Sequence, residues 1–256
     1  IHRMSTAIAC LLASVTPLLA GTFMQDDGQP YAEIIVAPDA PDMTKLAARE
    51  FQTFIKAVTG QELALVADGV GSGRSPAVYI GESAALRKVG INAEGLAPEG
   101  YRIVVKPGVL AITGRDYAGR PLRAAMNPWR LHDMYNSGLK LNALGEAGTL
   151  YGVYAFLERV CSIRFYMPGE LGTVLSPIAE LRVPTFTQER APAFNYRYPW
   201  LAFLEKSPAD ALWLRRAGFG GTVPVVITHN FRCMYKHKDT PPEFFALVDN
   251  SGANTA

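Results

Sequence analysis

The sequence has few histidines, few cysteines and no block of basic residues, and each shortage argues against a class of function. Its 25 Lys and Arg residues are scattered among 256 residues, and the formal net charge is only +2. A surface that follows a nucleic-acid backbone needs clustered positive charge. We therefore expect no nucleic-acid partner.

Metal-binding patterns are equally scarce. His229, Cys233 and His237 follow one another at intervals of four residues, which on a helix would place three ligands on one face. Their segment, VVITHNFRCMYKH, has the pattern of a strand followed by a loop, so helical spacing does not apply, and no HExxH motif accompanies it. We expect no metal and no cofactor, and a zinc protein using these three residues is the alternative.

The three cysteines are too few for a disulfide scaffold. Cys10 lies in a segment that we expect to be removed, which leaves Cys161 and Cys233. Both lie in stretches predicted to be buried, where a cysteine is usually a small buried thiol. In an exported protein Cys161 and Cys233 could instead form a disulfide, but their spacing alone does not predict one.

After residue 20 the sequence contains no apolar run long enough to span a membrane. Residues 1–20 combine a short basic start, a short apolar core and small residues before Gly21. That layout is typical of a secretory signal peptide, with Met4 as the expected start. We predict an exported protein, periplasmic or extracellular; a buried N-terminal helix is the alternative.

Residues 30–115 carry the pattern of an α/β fold. Strands are predicted at Ala32–Pro38, Leu63–Ala67 and Ala77–Gly81, and YRIVVKPGVLAITG predicts a hairpin that turns at Lys106–Gly108. Together these elements predict a small mixed β-sheet with helices on one face.

A helix is predicted between the first two strands. Its apolar residues recur at helical spacing: Ala47, Phe51, Phe54, Ile55 and Val58. Asp42 or Thr44 is expected to cap its start and Gly60 its end.

The segment 116–147 has no sustained period and is predicted to be a long excursion with one short helix at most. A second long helix follows, with Thr149 as the expected N-cap and an apolar stripe at Leu150, Val153, Tyr154 and Leu157.

Beyond this helix, IRFYMPG predicts a strand that ends at Pro168, and ELRVP predicts one more. Glu170 is best explained as a turn carboxylate, because every neighbour fits turn chemistry. Nearby aromatic residues are predicted to lie in the core or at a domain interface: Tyr151, Tyr154, Phe156, Phe165 and Tyr166.

A change in composition at residues 184–192 predicts a linker, because prolines flank polar residues there. We expect a signal peptide at 1–20, an α/β accessory domain at 30–185 and a second domain at 191–256. The second domain begins with a strand–helix–strand pattern, which predicts a parallel βαβ unit. Since one such unit cannot cover both faces of a sheet, the chain is predicted to be an N-terminal fragment or a frameshifted product of a longer protein.

Five motifs occur here in one order: APDAPDMTKLAAREFQTFIKAVTG, VYIGES, GYRIVVKPGVLAITGRD, GTLYGVYAFLERVCSIRFYMPGELGTV and APAFNYR. Together they resemble the N-terminal domain of family 67 α-glucuronidases and, more closely, of the DUF4838 proteins; family 20 hexosaminidases carry a similar domain. The resemblance covers about residues 30–200. It implies a hexosaminidase N-terminal-domain-like unit beside a (β/α)₈ barrel that hydrolyses glycosidic bonds, of which only an incomplete start is present. Residues 116–147 depart from the family pattern, in which this loop is short.

Glycoside hydrolysis needs two carboxyl groups that flank the scissile bond. Four acids lie near the two expected barrel strands: Glu205, Asp210, Glu243 and Asp249. Asp210 and Glu243 fit first-turn helix charges, and Glu205 fits a surface loop charge. The resemblance implies that the catalytic acids lie on later strands, so we assign no catalytic residue here.

Substrate binding is predicted at the ends of the expected barrel strands. Arg197 and Trp200 end the first strand, where a guanidinium can bind hydroxyls or a uronate carboxylate and an indole can stack on a pyranose. His229 and Asn230 end the second, and the resemblance places a histidine at this point. The alternative for Arg197 and Trp200 is an internally paired arginine and a core tryptophan.

Two classes of function therefore remain open. The first is the N-terminal part of an exported glycoside hydrolase-like protein, with a polysaccharide or oligosaccharide, glucuronide- or hexosamine-containing, as substrate. The second is a non-catalytic carbohydrate-binding or scaffolding module.

Overall fold

The computed structural model describes residues 22–25, 27–70, 76–118, 145–197 and 208–221. The expected signal peptide and residues 119–144 of the expected excursion lie outside these ranges. So does the strand expected at Thr222–Phe231.

A six-stranded mixed sheet forms the centre of the described fold, with the strand order β10-β5-β6-β4-β2-β3, in which β10 is Phe186–Arg190. The central strands β2 (Glu33–Val36), β4 (Ala77–Ile80) and β6 (Val109–Gly114) are parallel, as is β3 (Ala64–Ala67) at one edge. β5 (Tyr101–Lys106) runs antiparallel to β6. The mixed sheet is as predicted, including the hairpin turn, where Gly108 adopts a φ of 81° that favours glycine.

Helix α1 (Asp42–Thr59) covers one face of this sheet. Each of its five predicted apolar residues is buried, and Gly60 ends the helix in a left-handed conformation, as expected. The predicted N-caps are wrong, because the helix begins directly after Pro41 with no side-chain cap. The Thr44 hydroxyl instead donates to Asp116 Oδ2 at 2.6 Å.

Helix α3 (Gly148–Val160) packs beside α1 on the same face, so both long helices lie on one side, as predicted. Its apolar stripe is buried, and Phe51 of α1 meets Phe156 of α3 with ring centroids 5.5 Å apart. Thr149 does not cap this helix, since it lies within the first turn and its backbone N–H donates to Asp116 Oδ1 at 2.9 Å. A carboxylate 33 residues earlier therefore supplies the cap.

The short helix α2 (Ala84–Lys88) lies on the opposite face of the sheet. Its Leu86 packs with Ile91 and with Ala111 of β6, whereas Leu110 and Ile112 of the same strand face the main core. Alternation along the strand separates these two clusters. The prediction of helices on one face therefore holds for the long helices and not for α2.

The linker predicted at residues 184–192 is wrong for its central part. Phe186–Arg190 form β10, an edge strand antiparallel to β5. The strand β9 (Glu180–Val183), which was predicted, pairs in parallel with β1 (Thr22–Gln25), which was not. The sheet thus continues through Arg190, and the division of the chain into domains stays a prediction.

A short hairpin follows α3. β7 (Arg164–Phe165) pairs with β8 (Thr173–Val174) around a 3₁₀ turn at Glu170–Gly172. The strand expected to reach Pro168 is therefore shorter than predicted. Tyr166 is exposed, so it does not belong to the core of the described residues, and the alternative of a domain interface stays a prediction. Glu170 lies in an exposed turn, as predicted.

Helix α4 (Pro208–Arg216) confirms the helix of the predicted strand–helix–strand pattern, with Asp210 in its first turn. Ala211 belongs to the same hydrophobic core as α1 and α3. The strand β11 (Tyr196–Arg197) pairs antiparallel with β12 (Gly220–Gly221). The parallel pairing expected with the strand at residues 222–231 lies outside the described residues. The start of a barrel remains a prediction.

Candidate functional site

A pocket of about 350 Å³ lies where α3, β5 and the polypeptide after β10 meet. Tyrosines, arginines and a glutamate supply its polar wall: Tyr101, Tyr151, Tyr154, Glu158, Arg190, Arg197 and Arg216. The volume is at the lower end of the range for small-molecule sites. We call it the junction pocket.

Arg197, a predicted substrate-binding residue, lines the junction pocket and is also held by an internal ion pair. Its Nη1 lies 2.8 Å from Glu99 Oε2, and its Nε donates to the Gly218 carbonyl at 3.0 Å. The guanidinium lies 5.5 Å from the centre of the Tyr151 ring, within cation–π distance. Burial is the largest single effect and would lower the pKa of Arg197, but the hydrogen bond and charge of Glu99 together with the influence of Tyr151 outweigh it and raise that pKa. Arg197 is therefore an internally paired arginine, which was the alternative to substrate binding. A role for Arg197 in substrate binding stays a prediction.

A second buried pair joins α4 to α1. Arg216 donates to both carboxylate oxygens of Glu50, at 2.8 and 2.9 Å, which is the strong two-bond geometry of this pair. The Tyr154 hydroxyl of α3 donates to Glu50 Oε2 at 3.0 Å. Burial raises the pKa of Tyr154, and the charge of Glu50 raises it further. One carboxylate thus ties three helices together.

The Glu99 cluster likewise combines a glutamate, arginine and a tyrosine, here Glu99, Arg197, Arg215 and Tyr151. The Tyr151 hydroxyl donates to the Phe219 carbonyl at 2.9 Å and accepts from Arg215 Nη1 at 2.5 Å. Arg215 Nη1 lies 3.9 Å from Glu99 Oε1. Since Tyr151 and Tyr154 are three residues apart on α3, they lie on one face and each serves one Glu–Arg pair.

The junction pocket offers hydrogen bonding mainly at its rim. The hydroxyls of Tyr151 and Tyr154 are engaged by the two clusters, and that of Tyr101 accepts from Gln188 at 3.2 Å. Glu158 and Arg190 are exposed at the rim. A carboxylate, a guanidinium and aromatic faces together suit a polar ligand with a flat ring face.

Asp116 is a partly buried residue whose carboxylate accepts hydrogen bonds from α1 and α3. Burial raises its pKa to about 6 from an ordinary 3.8, and the bonds from Thr149 and Thr44 offset only part of that effect. Glu146, which forms an ion pair with Arg115 at 2.7 Å, raises the pKa slightly more. Asp116 therefore caps the start of α3 and links it to Thr44 of α1.

The Asp116→Asn variant should remove a pH dependence of stability. The native state holds this proton to a higher pH than the unfolded chain does, so wild-type stability falls as pH rises through the window between 3.8 and about 6. The fall between pH 4 and 6.5 should be roughly 2 kcal/mol. The variant keeps an oxygen for the Thr149 N–H and should lack this decline in urea unfolding measured at several pH values. Asp39→Asn, at an exposed carboxylate, is the matched control, and equal pH slopes for wild type and Asp116→Asn would refute the assignment.

The described residues show no arrangement that favours acid–base catalysis. Glu50 and Glu99 are each committed to arginine, and Asp116 to a helix cap. Within the described ranges, no group of three or more His, Cys, Asp or Glu could hold a metal ion. Cys161 is a free, buried thiol, as predicted, and burial raises its pKa to about 12.

The remaining predicted residues lie outside the described residues. These are Trp200, His229 and Asn230 among the substrate-binding candidates, Glu205, Glu243 and Asp249 among the acids, and Cys233 and His237. Of the four substrate-binding candidates, the structure therefore places Arg197 alone.

Sequence reasoning missed both Glu–Arg clusters. One signal was available, because Glu50 follows Ala47 by three residues and precedes Phe54 by four, so it lies on the apolar face of α1. A carboxylate on such a face usually has a buried partner.

No family model matches this sequence, and no curated protein is similar to it. Among solved structures, one match is described as a novel family GH115 4-O-methyl-α-glucuronidase, BtGH115A, with specificity for decorated arabinogalactans. It has 14% identity and a TM-score of 0.36, and the match covers 65% of this chain and 18% of that one. This chain therefore spans less than a fifth of that protein. In the part of the chain that the structure describes, no helix is long and apolar enough to cross a membrane.

Proposed function

We propose that this chain is the non-catalytic N-terminal part of an exported glycoside hydrolase-like protein. Its α/β unit supports the polypeptide that follows Arg190, and the catalytic carboxyl groups lie outside this chain. The sequence resemblance supports a polysaccharide or oligosaccharide as substrate, glucuronide- or hexosamine-containing. The pattern of residues 1–20 supports export.

The observation that carries the supporting role is the pair of Glu–Arg–Tyr clusters. Arg216 of α4 pairs with Glu50 of α1, which also accepts from Tyr154 of α3, and Arg197 of β11 pairs with Glu99, which lies just before β5. Both clusters therefore join segments that follow the sheet in sequence to segments that come before its last strand. A buried carboxylate is retained only where its partner is well placed, because an unpaired buried charge is costly. We infer that Glu50 and Glu99 serve to hold the segment after Arg190 against the α/β unit.

The test is an activity assay on the full 256-residue chain with aryl glycosides of glucuronic acid and of N-acetylhexosamine. We expect no hydrolysis above a buffer blank, because the carboxylates of Glu50, Glu99 and Asp116 are each held in structural contacts. Turnover by the purified chain that survives a second purification step would contradict the proposal.

A second candidate function, a non-catalytic carbohydrate-binding module, is favoured by the junction pocket. Its rim carries Glu158 and Arg190 beside tyrosine faces, which suits hydroxyl recognition. Calorimetric titration with neutral and uronate-containing oligosaccharides distinguishes the two. Binding that weakens about tenfold in Arg190→Ala, the cost of a lost charged hydrogen bond, and is unchanged in Arg49→Ala would favour the module.

A further inference from the structure

The wall of the junction pocket carries guanidinium groups, while the carboxylates that pair with them are not part of it. Arg197 and Arg216 line the pocket. Their partners, Glu99 and Glu50, are described residues that do not line it. Each ion pair is therefore a dipole whose positive end lies at the pocket. Among the described residues of the wall, three are arginines and one, Glu158, is an acid. This arrangement favours a ligand that carries negative charge.

Arg190 is the exposed guanidinium of this wall. Within the described residues no hydrogen bond or ion pair engages its side chain. Arg190 lies opposite Tyr101 in the β10–β5 register, so the two side chains project from the same face of the sheet. The Tyr101 hydroxyl accepts from Gln188, which leaves its own O–H able to donate. Arg190 and Tyr101 therefore offer neighbouring donors to an anionic group.

The two paired arginines also keep donors that their carboxylates do not use. Arg216 donates to Glu50 through Nε and Nη2, which leaves Nη1. Arg197 donates through Nε and Nη1, and its buried Nη2 has no hydrogen-bond partner among the described residues. Both arginines line the pocket, so unused N–H groups belong to side chains that border it.

Glu158 is the acid that opposes this positive wall. It follows Tyr154 by four residues on α3, so the two share a face of the helix. Burial has the largest effect on the pKa of Tyr101 and raises it, while the charge of Arg190 lowers it and that of Glu158 raises it. Arg190 and Glu158 thus both act on the Tyr101 hydroxyl. An anion held beside Tyr101 would be repelled by Glu158, whereas a neutral sugar could donate a hydroxyl to it.

We propose that the junction pocket binds a small ligand through an anionic group, a carboxylate or a phosphate, held by Arg190 and Tyr101. The planar guanidinium matches either group with two parallel hydrogen bonds. A pocket of about 350 Å³ suits a small molecule. The inference rests on the second candidate function, in which this pocket is a binding site, and adds the charge of the ligand.

The experiment is calorimetric titration of the full chain with galacturonate, galactose and inorganic phosphate. Galacturonate and galactose differ at C6 alone, so the ratio of their affinities isolates the charge. We expect galacturonate to bind at least about tenfold more tightly, the value of a charged hydrogen bond. Arg190→Ala should remove most of this difference. Glu158→Gln should tighten galacturonate binding by about threefold or more, because a like charge is lost.

Inorganic phosphate distinguishes the two anionic groups. If phosphate displaces galacturonate, the pocket is a general oxyanion site, and if it does not, the pocket selects a carboxylate. Either outcome supports an anionic ligand, provided that galacturonate binds more tightly than galactose.

Arg49→Ala is the matched control, since Arg49 is an exposed arginine of α1 that does not line the pocket. It should leave both sugar affinities unchanged, and urea unfolding should show that every variant keeps its fold. Galactose that binds as tightly as galacturonate, with both weakened by Arg190→Ala, would overturn the anionic ligand and leave the binding module in place. Weaker galacturonate binding in Glu158→Gln would also overturn it, because Glu158 would then accept from the ligand. Binding of none of the three probes would contradict both the inference and the module.

Discussion

Replacing Glu50 with alanine is expected to lower the free energy of unfolding by about 3–5 kcal/mol, the usual cost of breaking a buried ion pair. The change removes both acceptors of Arg216 and the acceptor of the Tyr154 hydroxyl. Burial alone lowers the pKa of Arg216, and Glu50 is what raises it above its ordinary value. Without Glu50 a buried guanidinium is left uncompensated, so α4 should detach first. Urea denaturation followed by circular dichroism measures the loss.

Two variants calibrate this effect. Lys56→Ala breaks the Lys56–Glu62 pair, whose side chains are both more than half exposed, and should change stability by roughly 0–1 kcal/mol. Glu50→Gln keeps an oxygen for Tyr154 and should fall between wild type and Glu50→Ala. An alanine variant no less stable than the lysine control would mean that the pair does not hold α4.

Gly148→Ala is expected to destabilise the protein by about 3 kcal/mol or more, because backbone sits where the new Cβ must go. That atom would collide with the Gly100 carbonyl and lie 2.7 Å from the Arg115 nitrogen. The Gly148 N–H also donates to the Arg115 carbonyl at 3.1 Å, so the start of α3 cannot move away without losing a bond. Thermal unfolding should show a clear drop in Tm.

Gly152→Ala is the matched control in the same helix. Its new Cβ would meet side-chain atoms of Ile112 and Tyr101 rather than backbone, and alanine gains about 1 kcal/mol of helix propensity over glycine. Since Ile112 Cγ2 would lie 2.8 Å from this Cβ and must shift, we expect some loss of stability, but a smaller one than in Gly148→Ala. If Gly148→Ala were tolerated as well as Gly152→Ala, the close approach of α3 to the end of β6 would not be required for folding.

Local patterns were sufficient to predict the central sheet and its long helices. The apolar spacing of α1 and the Lys106–Gly108 turn determine their own structure, because burial of one helix face and a hairpin turn depend on neighbouring residues. β10 was missed for the converse reason. Phe186–Arg190 is a polar edge strand between prolines, and its stability comes from pairing with β5, which is about 80 residues earlier in the chain.

The site was less accessible to sequence reasoning, since its interactions are long-range. Arg197 was identified from its position, but its partner Glu99 is 98 residues away. Asp116 caps a helix that begins 32 residues later, so a local cap at Thr149 was predicted instead. Tyr166 was predicted to lie in the core or at a domain interface, where aromatic residues are common, and its side chain is exposed beside the turn.

Native-state hydrogen exchange of the α4 amides, compared with those of β5 and β6, tests the central claim that the later helix is part of the supporting unit. If the Glu50 and Glu99 clusters hold α4 in one cooperative core, its most protected amides should open with the same free energy as the sheet. Glu50→Ala should lower protection in α4 more than in the sheet. Rapid exchange of α4 in the wild type beside a fully protected sheet would contradict the account.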